Sequence, residues 1–213
     1  MVSNARSVRV LLSLGMEKVE KDHCGVAGFG GYHFAKNDLP ERLSRDRLQG
    51  TCYGGVMQLY IARHGLAVPK DEDPNCPLSK TGQRDIARMA SFLARTCPSI
   101  KRIIHSGKIR AAQTALIYSE TLGSGRIVEE GSVGLSPDDP TDPVISALSG
   151  WNEDTMLVSH LPLVGKLVAR LVSGNESLDI VNFHAGAVTC LRHAEGNRGW
   201  TLAWAVSPDL LGS

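Results

Sequence analysis

From Met57 onward the chain alternates between two hydrophobic periods. Runs of four or five apolar or β-branched residues, the length of a strand, are separated by stretches in which apolar residues recur every three or four positions. Gln58-Leu59-Tyr60-Ile61-Ala62 opens the series as a strand. Ile86, Met89, Ala90 and Leu93, at i, i+3, i+4 and i+7, predict a helix starting near Ser79, a suitable N-cap, with Pro98 beyond its end. Arg102-Ile103-Ile104-His105 reads as a second strand, and Ile109, Ala112 and Leu116 as the apolar face of a helix closing near Gly123. Arg126-Ile127-Val128 is a brief third strand, Pro137 to Pro143 a loop entering a short helix, and Thr155-Met156-Leu157-Val158 a fourth strand. Pro162 suits a helix start, Val164, Leu167, Val168 and Leu171 its buried face, and Gly174 its stop. Ala187 to Leu191 and Thr201 to Ala205 are the last two strands. The alternation predicts an α/β fold, a three-layer α/β/α sandwich whose mostly parallel central sheet is covered on both faces.

Residues 1–56 do not share this pattern. They hold one apolar stretch, Val8 to Leu14, and 8 of the 22 glycines, and they carry a formal charge of +2 against −1 for residues 57–213. Arg6 and Arg9 beside Val10-Leu11-Leu12 have the flavour of a secretory leader. However, the apolar part is short, runs into Glu17-Lys18-Val19-Glu20-Lys21 and lacks a small-residue cleavage site. The glycine-rich Cys24 to Gly31 does not match a phosphate-binding loop. The expectation is an N-terminal extension over 1–56, poorly ordered or upstream translation with Met57 as the natural start, and a folded domain over 57–213.

Composition narrows the function classes. A chain of 213 residues with 42% hydrophobic content can bury a real core. Lys and Arg number 23 against 22 Asp and Glu, which argues against a nucleic-acid partner, since such domains carry a clear excess of basic charge. No run approaches the apolar length of a membrane span. Five cysteines, odd in number and without a CxxC pair, read as reduced thiols of a cytoplasmic protein.

In open α/β sheets ligands bind beyond the carboxyl ends of the strands. Three such ends here carry unusual side chains: Arg63-His64-Gly65, Ser106 to Arg110, and Ser159-His160 just before a helix. Singly, His160 reads as a packing or capping histidine and Arg110 as a solvated helix residue. Together, two guanidiniums and a helix N-terminus form an anion pocket suited to phosphate. A neutral imidazole is a competent nucleophile near pH 7. One histidine could attack phosphorus while the other donates a hydrogen bond. A metal site fits poorly, because the set lacks a carboxylate and its arginines would repel the ion. His23, His33, His184 and His193 are left as structural or exposed.

Tyr60-Ile61-Ala62-Arg63-His64-Gly65, Ser106-Gly107-Lys108-Ile109-Arg110-Ala111-Ala112-Gln113-Thr114 and Val158-Ser159-His160-Leu161-Pro162, in that order, resemble the motifs of the histidine phosphatase (phosphoglycerate mutase-like) superfamily. Leu78-Ser79-Lys80-Thr81-Gly82 looks like its element opening the first helix. Ser159 to Gly165 and Trp204 to Pro208 are similar to the superfamily's bacterial phosphohistidine phosphatases. The resemblance implies a phosphoglycerate mutase-like fold with no cofactor. It also implies His64 as the nucleophile that becomes phosphohistidine, and Arg63, Arg110 and His160 as the phosphate pocket. The implied substrate is a phosphohistidine on a partner protein, a phosphotransfer domain or phosphocarrier. The alternatives are a small-molecule phosphomonoesterase and a catalytically idle phosphoprotein-binding module.

Two departures accompany the resemblance. Gly107 stands where the superfamily usually has proline. Gly134, in Gly134-Leu135-Ser136-Pro137, replaces an acidic residue, leaving Glu129, Glu130, Asp138 and Asp139 as open candidates for a general acid. An alkoxide leaving group wants such an acid. Phosphohistidine can expel a neutral imidazole without one, so the gap makes that substrate easier to accept.

Overall fold

The computed structural model describes residues 56–96, 98–194 and 199–212. The expectations for residues 1–55 lie outside them. The elements run β1 (Val56–Arg63), α1 (Lys80–Arg95), β2 (Arg102–His105), α2 (Ile109–Leu122), β3 (Ile127–Glu130), α3 (Asp142–Leu148), β4 (Thr155–Ser159), α4 (Leu163–Ser173), β5 (Val188–Ala194) and β6 (Trp200–Val206), closed by a 3₁₀ turn (Pro208–Leu211). The six strands form one sheet in the order β3-β2-β4-β1-β5-β6. The pairs β2–β3, β2–β4 and β1–β4 are parallel, while β5 and β6 return antiparallel beside β1.

Side chains alternate across β1 with the strand period of two. Tyr60 and Ala62 join Ile86, Met89 and Leu93 of α1 and Ala111, Ala115 and Tyr118 of α2 in one core layer. Leu59 and Ile61 join Val144 and Leu148 of α3 and Leu163, Leu167 and Val168 of α4 in the other. This is the α/β/α sandwich that the periodicity predicts. Coverage stops at the edges, because β3 and β6 expose much of their length.

One helix faces differently from its sequence reading. Ile109 and Leu116 are exposed, and α2 buries Ala111, Thr114, Ala115 and Tyr118 instead. The fully buried Tyr118 contributes more apolar contact than either aliphatic residue could. Rotating the helix to bury it also turns Arg110 toward the strand ends, where its Nε reaches His64. Among the described residues no helix is long and apolar enough to cross a membrane.

Candidate active site

The three strands at the centre of the sheet, β2, β4 and β1 in spatial order, deliver the candidate residues from their carboxyl ends. Register pairs Arg63 with Ser159 and His105 with Val158, so the segments that follow all leave the sheet at one level. The backbone fixes the exit of β1 on both sides. His64 N–H donates to Ser159 O at 3.0 Å, Arg63 N–H to Ala187 O at 3.0 Å, and Gly186 N–H to His64 O at 3.0 Å.

All four residues singled out in the sequence meet there. His64 Nδ1 lies 2.7 Å from Gly65 O, and Arg110 Nε lies 3.2 Å from His64 Nε2. A carbonyl oxygen only accepts and a guanidinium N–H only donates. Nδ1 therefore carries the proton, and Nε2 presents a lone pair toward the guanidinium. The His64 and His160 rings sit 4.8 Å apart, tilted by 55°. Arg63 is anchored through Nη1 to Phe183 O at 2.8 Å, while its buried Nε has no partner among the described residues.

Burial shapes the electrostatics first. The His64 pKa is lowered to about 4, mainly by burial; the bond to Gly65 O opposes the shift, and Arg110 and Arg63 add to it. His160, almost wholly buried, is lowered to about 3 by burial and then by His64, Arg110, Lys108 and Arg63. Both rings are neutral at pH 7 inside a pocket whose permanent charges are positive.

Three supporting residues were not assigned roles from sequence. Ser106 Oγ lies 2.6 Å from His160 Nε2 and fixes that ring. Thr114 Oγ1 accepts from Gly65 N–H and donates to Arg110 O, tying α2 to the turn after His64. His105 Nδ1 accepts from Gly107 N–H at 3.1 Å and holds the turn that carries Ser106. Each acts through one or two hydrogen bonds, which no periodicity signals. His184 and His193, left as structural, contact Asn182 and Trp200 respectively.

The structure sorts the four carboxylates. Glu129 faces Arg102 at 3.7 Å and Asp138 is exposed. Glu130 lies against the Gly107 turn, its Oε1 2.2 Å from where a Cβ at 107 would stand. Asp139 Oδ2 accepts from Ser136 N–H at 2.6 Å and lies 2.5 Å from the Cβ position of Gly134. The Asp139 carboxylate therefore packs against the Gly134 backbone and caps Ser136 N–H. Ser159 Oγ, donating to Leu135 O at 2.6 Å, ties that loop to the end of β4. Among the described residues no group of acidic, histidine or cysteine side chains is arranged to hold a metal ion.

Known proteins share this arrangement of chain. Residues 59–131 match the family model described as Histidine phosphatase superfamily (branch 1). Phosphohistidine phosphatase SixA of Escherichia coli (strain K12) is 32% identical over 161 residues, covering 71% of this chain and 94% of the relative. The solved structure of the protein histidine phosphatase SixA complexed with tungstate superposes with a TM-score of 0.64 at 30% identity, over 73% of this chain and 99% of that one. A mycobacterial glucosyl-3-phosphoglycerate phosphatase, at 17% identity and a TM-score of 0.55 over 70% of this chain and 97% of that one, shares the fold.

Proposed function

The chain belongs to the histidine phosphatase superfamily, and from that premise we propose that it removes the phosphoryl group from phosphohistidine in a partner protein, through a covalent phosphohistidine on His64. The observation that carries this reading is the state of His64. Its Nδ1–H is committed to Gly65 O, so Nε2 is the unprotonated nitrogen; its lone pair accepts from Arg110 Nε and becomes available for attack when that guanidinium turns to the incoming phosphoryl oxygens.

The phosphoryl group enters between Arg63, Arg110 and the N-terminus of α2, which neutralise its non-bridging oxygens. His64 Nε2 attacks phosphorus in line, the new P–N bond forms, and the P–N bond to the partner's imidazole breaks. That imidazole leaves neutral with the bonding pair, because its other ring nitrogen already carries a proton. Water then attacks phospho-His64. The P–O bond forms, the P–N bond breaks, the water's proton passes to the released phosphate, and His64 is again neutral. His160, held by Ser106, hydrogen-bonds the transferring group. An alkoxide would need a proton donor at this point, and among the described residues no carboxylate hydrogen-bonds either histidine ring. That favours phosphohistidine over small phosphomonoesters.

Rapid quench with a ³²P-labelled phosphohistidine protein, followed by peptide mapping in alkali, tests the step. Label is expected on His64 and none in His64→Ala. Label on another residue, or near-full turnover in His64→Ala, would overturn it.

A further inference from the structure

Helix α1 carries an arrangement of charge that its own stability does not favour. Lys80, Arg84, Arg88 and Arg95 fall within roughly 80° of the helix surface at about 100° per residue, so they form a single cationic stripe. Lys80–Arg84 and Arg84–Arg88 are like-charge i,i+4 neighbours, which destabilise a helix. Lys80 occupies the first turn, where the helix dipole disfavours a cation, and that turn has no acidic residue. Compensation is thin. Arg88 pairs with Asp85 at 3.2 Å and donates to Pro208 O, whereas Arg84 and Arg95 form no ion pair among the described residues. The domain over 57–213 is itself slightly acidic, so the stripe is not a sample of a generally basic surface. A local rule broken repeatedly on one face marks that face for a use beyond folding.

The stripe also has shape. Arg84, Arg88 and Arg95 wall a groove of about 310 Å³ whose remaining lining is Ala87, Ser91 and Leu211. Two small residues in the middle let another backbone approach closely, and the leucine supplies an apolar contact. The stripe starts at the end of α1 that abuts the active site, since Ser79, the N-cap, bonds through its N–H and Oγ to Leu66 O, two residues beyond His64. From Arg84 to Arg95 it extends roughly 16 Å along the helix.

We propose that this groove docks an acidic helix of the phosphorylated partner protein, seated along α1 while the partner's phosphohistidine occupies the catalytic pocket. The proposal rests on the phosphohistidine reading and adds the partner's chemistry: carboxylates spaced three and four apart on a helix, near the phosphorylated histidine. A planar guanidinium pairs with a carboxylate through two parallel hydrogen bonds, which gives register as well as attraction. A nucleic acid fits less well, because the groove has an apolar floor, no aromatic side chain for a base to stack on, and a domain of near-zero net charge behind it.

The test compares two phosphohistidine peptides extended by about four helical turns, one with glutamates at i, i+4 spacing and one with glutamines there, with para-nitrophenyl phosphate as a small substrate. The glutamate peptide is expected to show about tenfold higher kcat/KM at low ionic strength, an advantage that shrinks as salt rises. Arg84→Glu/Arg95→Glu, with both changes on exposed positions, should abolish the preference without altering para-nitrophenyl phosphate turnover. It should also prefer a lysine-bearing peptide, which separates a docking role from a damaged fold. Equal use of the two peptides by the wild-type protein, or a preference that survives the double change, would overturn the proposal. So would displacement of the glutamate peptide by a DNA duplex at lower concentration than by free glutamate helix. If neither phosphopeptide is hydrolysed, the phosphohistidine reading fails; calorimetric binding of the unphosphorylated glutamate peptide then still decides the stripe.

Discussion

At His64 burial opposes protonation more strongly than either arginine does, and under the proposed mechanism this sets the pH at which the nucleophile is lost. An exposed imidazole would be half-charged near pH 6.5. Held near 4, His64 keeps its lone pair across the mildly acidic range, so kcat/KM should stay flat down to about pH 5 and fall as pH drops through about 4. A pH–rate profile measures this, and a fall centred near 6.5 would contradict the burial argument. Stability moves over a wider window. Between pH 6.5 and about 4 the unfolded chain binds protons at His64 and His160 that the folded chain refuses. Stability therefore decreases as the solution is acidified through that range, by on the order of 3 kcal/mol for each histidine, readable as a falling urea midpoint. Arg110→Ala should cost roughly 2–4 kcal/mol of transition-state stabilisation, comparable to an oxyanion donor. Arg110→Lys should recover only part of it, since a point charge cannot reproduce the fork. Steady-state kinetics with both variants gives the values.

Among the elements, two glycines show how tightly loops are fitted to the strand ends. Gly107 has φ of +79°, and a Cβ there would meet the Glu130 carboxylate. Proline, usual at this position in the superfamily, demands a negative φ and removes the N–H that His105 Nδ1 accepts. Gly107→Pro is accordingly expected to lower kcat by releasing Ser106 from His160, with an accompanying drop in melting temperature. At Gly82, in the first turn of α1, a Cβ would fall 2.0 Å from Leu66 O. Gly82→Ala should destabilise by about 1–3 kcal/mol in denaturant titration, because helix and strand-end backbones touch there. These fits explain what could be read in advance. The face of α1 was legible because Ile86, Met89, Ala90 and Leu93 repeat cleanly and all are buried. The face of α2 was not, because Ala111 and Ala115 signal weakly, and the buried Tyr118 and inward Arg110 decide its rotation. His64, Arg63, Arg110 and His160 were legible from their place at strand ends. Ser106 and Thr114 were visible only as the ends of a motif, without roles, and His105 not at all, since the hydrogen bonds that define their roles leave no trace in periodicity.

For the whole molecule, the two core layers lie on opposite faces of one sheet and draw on every helix from α1 to α4. We expect a fragment beginning at Met57 to melt cooperatively and retain turnover, since among the described residues the cut takes away Val56 and its terminal β1 pair with Ala194 and leaves both core layers intact. Loss of a cooperative transition in that fragment, recorded by calorimetry, would assign residues 1–56 a structural part. The order of strands bears on synthesis as well. β4 lies between β1 and β2, although it is made about fifty residues after β2 and some ninety after β1. Until the ribosome has released it, the strand ends carrying His64 and Ser106 have no common neighbour to hold them together, and His160 does not yet exist. A prematurely terminated chain ending before residue 155 would carry Arg63, His64 and Arg110 without the strand that unites them. The proposed phosphate pocket therefore cannot be completed before β4 has been made, and a fragment ended earlier lacks both the strand that joins its parts and His160.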